Sequence, residues 1–283
     1  MPDNQLDTGG GTIPAPEGSF FVFNGESSLS HGLTIEAFPA RRKAKRRVDR
    51  ITVPGRQGEL LIDHGVYECV DLTYQCWFSG GFGEANALAD WLYGVKGYAA
   101  LADSYDYGSG LLSALAPDFR LAAFTGGLDI ENLGNRYGRC DITFRAMPQI
   151  FYGAKNRYVA GANVPREGYL RRVYTQAAAQ VYPSLPLIRV QFDQTVSLTV
   201  NAGDGTAYAL QLTTGQDASD VTIDCDTQSV YLTADGTNAS AVVGRITDFP
   251  RFVPGINSVT ALHQLTGEED LLNLYVNTRE WHL

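Results

Sequence analysis

The residues of this chain that could do chemistry are scattered carboxylates, four histidines and four cysteines. The densest acidic cluster is Glu268-Glu269-Asp270. A glycosidase would need two carboxylates roughly 5 to 9.5 Å apart on either side of a cleft, whereas adjacent acids in one turn are typical of a solvated loop. Asp224 and Asp226 share one face of a predicted strand and could contribute to a calcium site. One strand, however, offers too few of the oxygen ligands that calcium needs.

No catalytic or cofactor-binding motif occurs in the sequence. Walker loops, HExxH, GxSxG and the dinucleotide fingerprint are all absent. His31, His64, His263 and His282 are dispersed, and no Cys/His spacing suggests zinc. We therefore predict that the protein is not an enzyme and uses no cofactor or metal.

The cysteines are predicted to be small buried hydrophobic residues and not disulfide partners. Cys69 and Cys76 fall in one predicted strand, which would place them about 23 Å apart on opposite faces, too far for a bridge. Cys140 and Cys225 lie on the apolar face of their own predicted strands.

Alternating residues predict two strands in the stretch 46–78. The first, 46–53, carries Ile51 and Val53 on one face and ends at Pro54-Gly55, where proline cannot donate to a sheet and glycine permits a reversal. The second runs over 66–78 with apolar residues at every other position, the period of a half-buried strand.

The period changes after this stretch and predicts a helix over 83–93. Ala87, Leu88, Trp91 and Leu92 would form its apolar face, and we expect Trp91 to anchor the helix to the sheet. Further strands lead to Met147-Pro148. Strands with one helix on one side predict an N-terminal β-sandwich-like domain with one α-helix.

From Pro183 onward the pattern is β only. Sets such as Ile188/Val190/Phe192 and Val221/Ile223/Cys225 recur at about ten-residue spacing between turn clusters, which is typical of a β-sandwich or jelly roll. Residues 153–182 lack a stable period, and we interpret 169–180 as a short helix. The fold class is therefore mainly β.

The length of 283 residues favours two domains. We divide the chain into a flexible leader (1–18), an N-terminal domain (19–152), a transition segment (153–182) and a C-terminal domain (183–283). No apolar run approaches the roughly 20 residues that span a bilayer, and the first residues do not form a secretory signal. We expect the protein to stay inside the producing cell until assembly.

The formal net charge is −9, but residues 41–50 are strongly basic. This basic segment contains seven cationic residues and one acid: Arg41, Arg42, Lys43, Lys45, Arg46, Arg47 and Arg50, with Asp49. Such a patch suits association with acidic copies of the same chain. The alternatives are contact with nucleic acid, disfavoured by the acidic remainder and the lack of interleaved aromatic residues, and a solvated strand edge protected by charge.

A series of short sequence motifs, in the order given below, resembles siphophage distal tail proteins. The N-terminal pieces are Phe21–Gly25 (FVFNG), Gly32–Ile35 (GLTI), Val53–Gly58 (VPGRQG), Tyr67-Glu68 and the strand that closes on Pro148 and Phe151-Tyr152. The C-terminal pieces, which resemble the family's galectin-like domain, are Ile223–Asp226, Val230-Tyr231, Phe249-Pro250, Pro254–Asn257 and Arg279–Trp281. The resemblance covers roughly residues 20–283 and is weakest in the middle.

The resemblance implies a structural virion protein of the phage tail tip, assembled in the host cytoplasm. In that family the first domain builds a homohexameric ring, and the second carries components for host attachment. The implied partners are sister copies, the tail tube protein, the baseplate or tail-tip hub and receptor-binding proteins. Our candidate subunit-interface residues are Arg46, Arg47, Pro54, Gly55, Arg56 and Gly58; for the last four the alternative is an ordinary intramolecular turn.

The alternative function is a pair of carbohydrate-binding modules for adhesion to a host surface. The sugar-binding phrases of galectins, HxNPR and WxxE, are absent, so glycan contact has no support from the sequence. A galectin-like fold alone does not imply sugar binding.

Overall fold

A computed structural model describes residues 18–40, 43–108, 117–131, 136–153, 155–178, 182–214, 219–239, 243–246, 248–264 and 271–283. Nearly all of the predicted leader, the first two arginines of the basic segment and the acidic cluster at 268–270 lie outside these residues. The described residues form two compact units, which divide between Ile150 and Phe151. The protein is mainly β, as predicted.

The N-terminal unit is built on one antiparallel seven-stranded sheet of order β2-β1-β7-β8-β9-β6-β3. The strands of the whole N-terminal unit are β1 (Phe21–Phe23), β2 (Glu26–Ser27), β3 (Leu33–Ala37), β4 (Arg46–Thr52), β5 (Glu59–Tyr67), β6 (Val70–Ser79), β7 (Ala99–Asp103), β8 (Arg120–Phe124) and β9 (Tyr137–Ala146). The helices are α1 (Phe82–Gly94) and α2 (Ser104–Gly108), with a 3-10 turn at Ser28–His31.

Helix α1 covers one face of this sheet and closes the core. Trp91 is buried, with its ring stacked on His31 at a centroid distance of 4.0 Å and on Phe21 at 6.0 Å. The tryptophan therefore anchors the helix to the sheet, as predicted. One position of the predicted face was wrong: Ala87 is exposed and Ala85 is buried in its place.

The single strand predicted over 66–78 is two strands in different sheets. β5 ends at Tyr67 and β6 begins at Val70, and the break falls at Glu68, whose N–H donates to Lys45 O at 2.8 Å. β6 belongs to the seven-stranded sheet, whereas β4 and β5 form a separate two-stranded sheet. Alternation alone does not show that a chain changes sheets, because it continues across the break.

The C-terminal unit is a sandwich of two antiparallel sheets. Its strands are β10 (Ile150–Phe151) at the unit boundary, β11 (Val159–Ala160), β12 (Ala162–Asn163), β13 (Tyr169–Ala178), β14 (Leu187–Phe192), β15 (Thr195–Asn201), β16 (Ala207–Thr213), β17 (Ser219–Asp224), β18 (Ser229–Leu232), β19 (Val243–Ile246), β20 (Gly255–Gln264), β21 (Leu272–Asn277) and β22 (Trp281–His282). A five-stranded sheet of order β11-β21-β14-β17-β18 and a six-stranded sheet of order β12-β13-β20-β15-β16-β19 share one hydrophobic core.

The short helix expected at 169–180 is wrong. Tyr169–Ala178 is strand β13, paired along its whole length with β20. Tyr174 faces the core and Leu170 packs against it, but this spacing of four residues fits one face of a helix as well as of a strand. The last two residues of the expected helix lie outside the described part of the chain.

Burial predicts which cysteine reacts with thiol reagents. All four are free; Cys76, Cys140 and Cys225 are buried, whereas Cys69 is half-buried. Burial raises the pKa of the Cys140 thiol to about 12 and raises the pKa of the thiols of Cys76 and Cys225 further, so few thiolates form near neutral pH. We expect at most one thiol, Cys69, to be alkylated rapidly in the native protein and all four after unfolding.

Intact mass after iodoacetamide treatment measures this labelling, with Cys69→Ser as the control that should remain unmodified. Rapid native labelling at any of the three buried positions would contradict the burial of that thiol.

Candidate assembly interface

The hairpin formed by β4 and β5, residues 46–67, has no core of its own. Every residue from 49 to 66 is exposed. Within the described residues, neither of the two hydrophobic cores includes a residue of these strands. An isolated two-stranded hairpin is only marginally stable in water. We therefore expect this hairpin to pack against another molecule.

One face of the hairpin is apolar although it is exposed. Ile51 lies opposite Leu60, and Ile62 is opposite Asp49 on the same face. The exposed fractions are 43% for Ile51, 39% for Leu60, 41% for Ile62 and 37% for Val53 at the end of the stripe. Contiguous exposed apolar residues typically mark a protein interaction site.

The opposite face of the hairpin is mostly polar. Arg50 lies opposite Leu61, and Thr52 lies opposite Glu59. The Arg50 and Glu59 side chains approach to 4.0 Å. Two apolar residues lie there: Leu61, at 62% exposed, and the half-buried Val48. This asymmetry means that one face of the hairpin, and not both, is suited to dry packing.

Four of the sequence-predicted interface residues lie together at the hairpin tip. Pro54, Gly55, Arg56 and Gly58 are all exposed. The turn closes within the chain, since the Arg56 N–H donates to Val53 O at 3.1 Å. The left-handed backbone of Gly55 (φ 79°) and Gly58 (φ 81°) explains the two glycines of the motif.

The two remaining predicted interface residues lie at the base of the hairpin. Arg46 pairs with Asp63 at 2.9 Å across the strands. Arg47 is exposed, and none of the ion pairs among the described residues involves it. Because Arg46 and Arg50 contact acids of β5, part of the positive charge of the basic segment is balanced inside the hairpin.

Sequence reasoning missed Leu60 and Ile62, which supply half of the apolar face. Their signal was present, because they fall on alternate positions of a strand that pairs with Ile51. Aliphatic residues in a strand are normally assigned to the protein's own core, so alternation alone does not identify them as an interface.

A second exposed surface lies on the N-terminal sheet, on the face opposite α1. Trp77 of β6 and Tyr137 of β9 are 43% and 65% exposed. The Arg139 guanidinium lies over the Trp77 ring at 4.3 Å and donates to Glu36 at 2.8 Å. Asp141 adds an exposed carboxylate to the same face. We call this surface, with its aromatic residues and acids, the outer sheet face.

The carboxylates considered for catalysis or calcium binding have structural partners where they are described. Asp224 contacts Arg279 at 2.8 Å and Asp226 approaches the same guanidinium at 3.9 Å, so both carboxylates form ion pairs with an arginine of the protein. In the described part of the chain, no group of three His, Cys, Asp or Glu side chains could hold a metal ion. Over the same residues, no helix is long and apolar enough to cross a membrane.

Neither a family model nor a curated protein sequence matches the chain. Among solved structures, it is similar to the crystal structure of the SPP1 Dit (gp 19.1) protein, described as a paradigm of the hub adsorption apparatus in phages that infect Gram-positive bacteria. The TM-score is 0.56 at 11% identity, over 94% of this chain and 99% of that one. A glycoside hydrolase family 32 protein from Bifidobacterium adolescentis covers 82% of this chain and 35% of its own length at 10% identity, but its TM-score of 0.24 carries no argument.

The similarity to the Dit protein extends over both units and nearly the whole of each chain. It confirms, at the level of the fold, the resemblance that the sequence phrases indicated. This chain has the fold of a phage Dit protein.

Proposed function

We propose that the protein is a distal tail hub of a long-tailed phage. Six copies form a ring that joins the tail tube to the baseplate or receptor-binding tip. The observation that carries this proposal is the exposed hairpin with one apolar face, on a chain with the fold of a hub protein. A protein that works by assembly needs such a surface, whereas on a monomer it promotes aggregation.

Two different surfaces of one copy support a ring and not a two-fold dimer. The hairpin carries apolar residues and basic groups, while the outer sheet face carries Trp77, Tyr137 and two acids, Asp141 and the Arg139-paired Glu36. In our proposal, the hairpin of each copy packs on the outer sheet face of the next. Head-to-tail contacts between unlike surfaces generate closed rings when the rotation permits. A permanent contact of this kind should bury over about 2,000 Å².

The proposed location is the virion tail tip, with assembly in the host cytoplasm. The partners would be the tail tube protein on one side and baseplate or receptor-binding proteins on the other. The C-terminal sandwich is the unit proposed to carry the latter. Contact of the basic segment with nucleic acid is disfavoured, because the rest of the chain is acidic and would repel a polyanion.

The mass of the purified full-length chain tests the proposal. Native mass spectrometry should find an assembly six times the chain mass of 30.8 kDa. Electron micrographs of the same sample should show closed rings. A chain that stays single at concentrations of tens of micromolar would contradict a self-assembling ring.

Charge reversal at the hairpin base is expected to weaken assembly without unfolding the protein. In Arg46→Glu/Arg47→Glu, like charges would meet the acidic neighbour, and the ring dissociation constant should rise at least about ten-fold. Arg47→Glu alone is the cleaner variant, because Arg46 also pairs with Asp63 inside the hairpin. Lys96→Glu, an exposed site outside the hairpin, is the matched control. An unchanged mass distribution would mean that the segment is only a solvated surface.

The alternative, a carbohydrate-binding adhesion module, would be favoured by exposed aromatic residues in the C-terminal unit. In the described residues after 183, the large apolar side chains that are exposed are Leu185, Ile256 and Leu271. None is aromatic, so a stacking platform of the usual kind does not support this alternative.

A further inference from the structure

A groove of about 360 Å³ lies on the outer face of the six-stranded sheet in the C-terminal unit. Two arginines, three hydroxyl side chains and one leucine line it: Arg166, Arg171, Ser197, Thr199, Thr260 and Leu262. Its volume is at the small end of the range for small-molecule sites, about 300 to 1,000 Å³. All of the lining residues belong to the C-terminal unit.

Strand register explains why these side chains converge. Leu262 of β20 lies opposite Arg171 of β13 on one side and opposite Ser197 of β15 on the other. In the next row of the same face, Thr260 lies opposite Thr199. The residues between these rows, such as Ala261 and Leu198, are buried in the sandwich core. Their neighbours along the strands must therefore point outward into the groove.

The two arginines of the groove differ from other arginines of the C-terminal unit in their described partners. Within the described residues, no carboxylate pairs with Arg166 or Arg171, although Arg166 lies over the Tyr169 ring at 5.0 Å. Other arginines of this unit do have such partners: Arg189 contacts Asp220 at 2.5 Å and Arg279 contacts Asp224 at 2.8 Å. In a chain of net charge −9, two arginines in one groove with no carboxylate partner among the described residues make a local site for an anion.

We propose that this groove binds an anionic saccharide or polyol. The guanidinium groups of Arg166 and Arg171 would hold its carboxylate or phosphate through charge-assisted hydrogen bonds. The hydroxyls of Ser197, Thr199 and Thr260 would exchange hydrogen bonds with ligand hydroxyl groups. Leu262 offers an apolar contact for the C–H face of a ring. The groove does not depend on ring formation, because one copy supplies all of its residues.

Ligand-observed saturation-transfer NMR on the full-length protein tests the site. The probes are a short oligogalacturonate for a carboxylate, a glycerol-phosphate oligomer for a phosphate, neutral maltotriose and inorganic phosphate. We expect at least one of the two anionic oligomers to bind. R166Q/R171Q should weaken that binding at least about ten-fold, since it removes two charge-assisted contacts. R157Q removes an exposed charge outside the groove and should leave the affinity unchanged.

The outcomes separate the parts of the proposal. Preference for oligogalacturonate or for the glycerol-phosphate oligomer identifies the anion. Binding of neither oligomer, or binding that survives R166Q/R171Q, overturns the site. Maltotriose binding as tight as that of the oligomers overturns the role of the arginines, and inorganic phosphate binding equally tight overturns the role of the hydroxyls. Circular dichroism of both variants checks that the fold is kept.

Discussion

Replacing the hairpin by a two-residue turn is expected to leave the N-terminal unit folded and to abolish assembly. The deletion removes residues 47–66 and joins Arg46 to Tyr67, already paired across the base, through Asn-Gly. The unit should stay folded because, in the described residues, its core takes nothing from β4 or β5. Assembly should fail because the main apolar surface offered to the next copy is gone. Native mass spectrometry should then find single chains with unchanged strand content by circular dichroism.

Three substitutions on one face of the hairpin test the same assembly contact without a deletion. Ile51→Ser/Leu60→Ser/Ile62→Ser removes the apolar face, and partial burial of three such side chains stabilises a contact by about 4 kcal/mol. The dissociation constant of the ring should rise roughly a thousand-fold. Leu61→Ser removes an aliphatic side chain from the opposite face and should have little effect. A ring that survives the triple variant would show that the hairpin is not the contact.

Local patterns in the sequence predicted many of the strands and some of the contacts within each unit. The phrase ending in Asn257 is an example: its buried amide accepts from the N–H groups of Gly203 at 3.0 Å and Val253 at 3.1 Å. The sequence Pro254–Asn257 predicts a turn in which asparagine bonds to nearby backbone; those bonds are present, but Asn257 lies in strand β20 and not in a turn. Trp91 was likewise placed correctly, because a large apolar residue on one helical face has few alternatives to a core.

The pairing partners of the strands could not be predicted from the sequence. The wrong secondary-structure predictions follow from this. Residues 169–180 were expected to form a short helix, but pairing with β20 determines the structure over Tyr169–Ala178. The alternation through Tyr67 and Val70 hides the point where the chain leaves the hairpin for the main sheet. An apolar face looks the same in sequence whether the protein's own core covers it or a second molecule does. The exposed face of the hairpin therefore became visible only in the structure.

The second large effect is expected at Glu280, a buried carboxylate in the C-terminal unit. Its side chain is 1% exposed, and its Oε2 accepts from Lys155 Nζ at 2.7 Å. Gln176 Nε2 donates to its Oε1, and the Tyr174 hydroxyl donates in turn to Gln176. The Tyr152 N–H donates to the Glu280 carbonyl at 3.1 Å. The residue thus ties the start of this unit to its last strands.

Glu280→Ala should lower the free energy of unfolding of the C-terminal unit by about 3 kcal/mol. This is the low end for a broken buried pair, because the half-exposed Lys155 can return to water, whereas the amide of Gln176 loses its acceptor. Glu280→Gln keeps an acceptor for Gln176 and should cost less. Asp226→Ala removes an acid with 60% side-chain exposure and should be nearly neutral.

Hydrogen-exchange mass spectrometry can test this in the full-length protein, because its peptides report on each unit separately. Exchange in Glu280→Ala should accelerate in β13, β20 and β21 and stay unchanged in β6 and β9.

A second measurement reports specifically on the negative charge of Glu280. Burial first, and then the negative charge of Glu280, raises the pKa of Tyr174 to about 12, so removing that charge should let tyrosinate form at a lower pH. Unchanged exchange together with an unchanged tyrosine titration would show that Glu280 does not hold the unit closed.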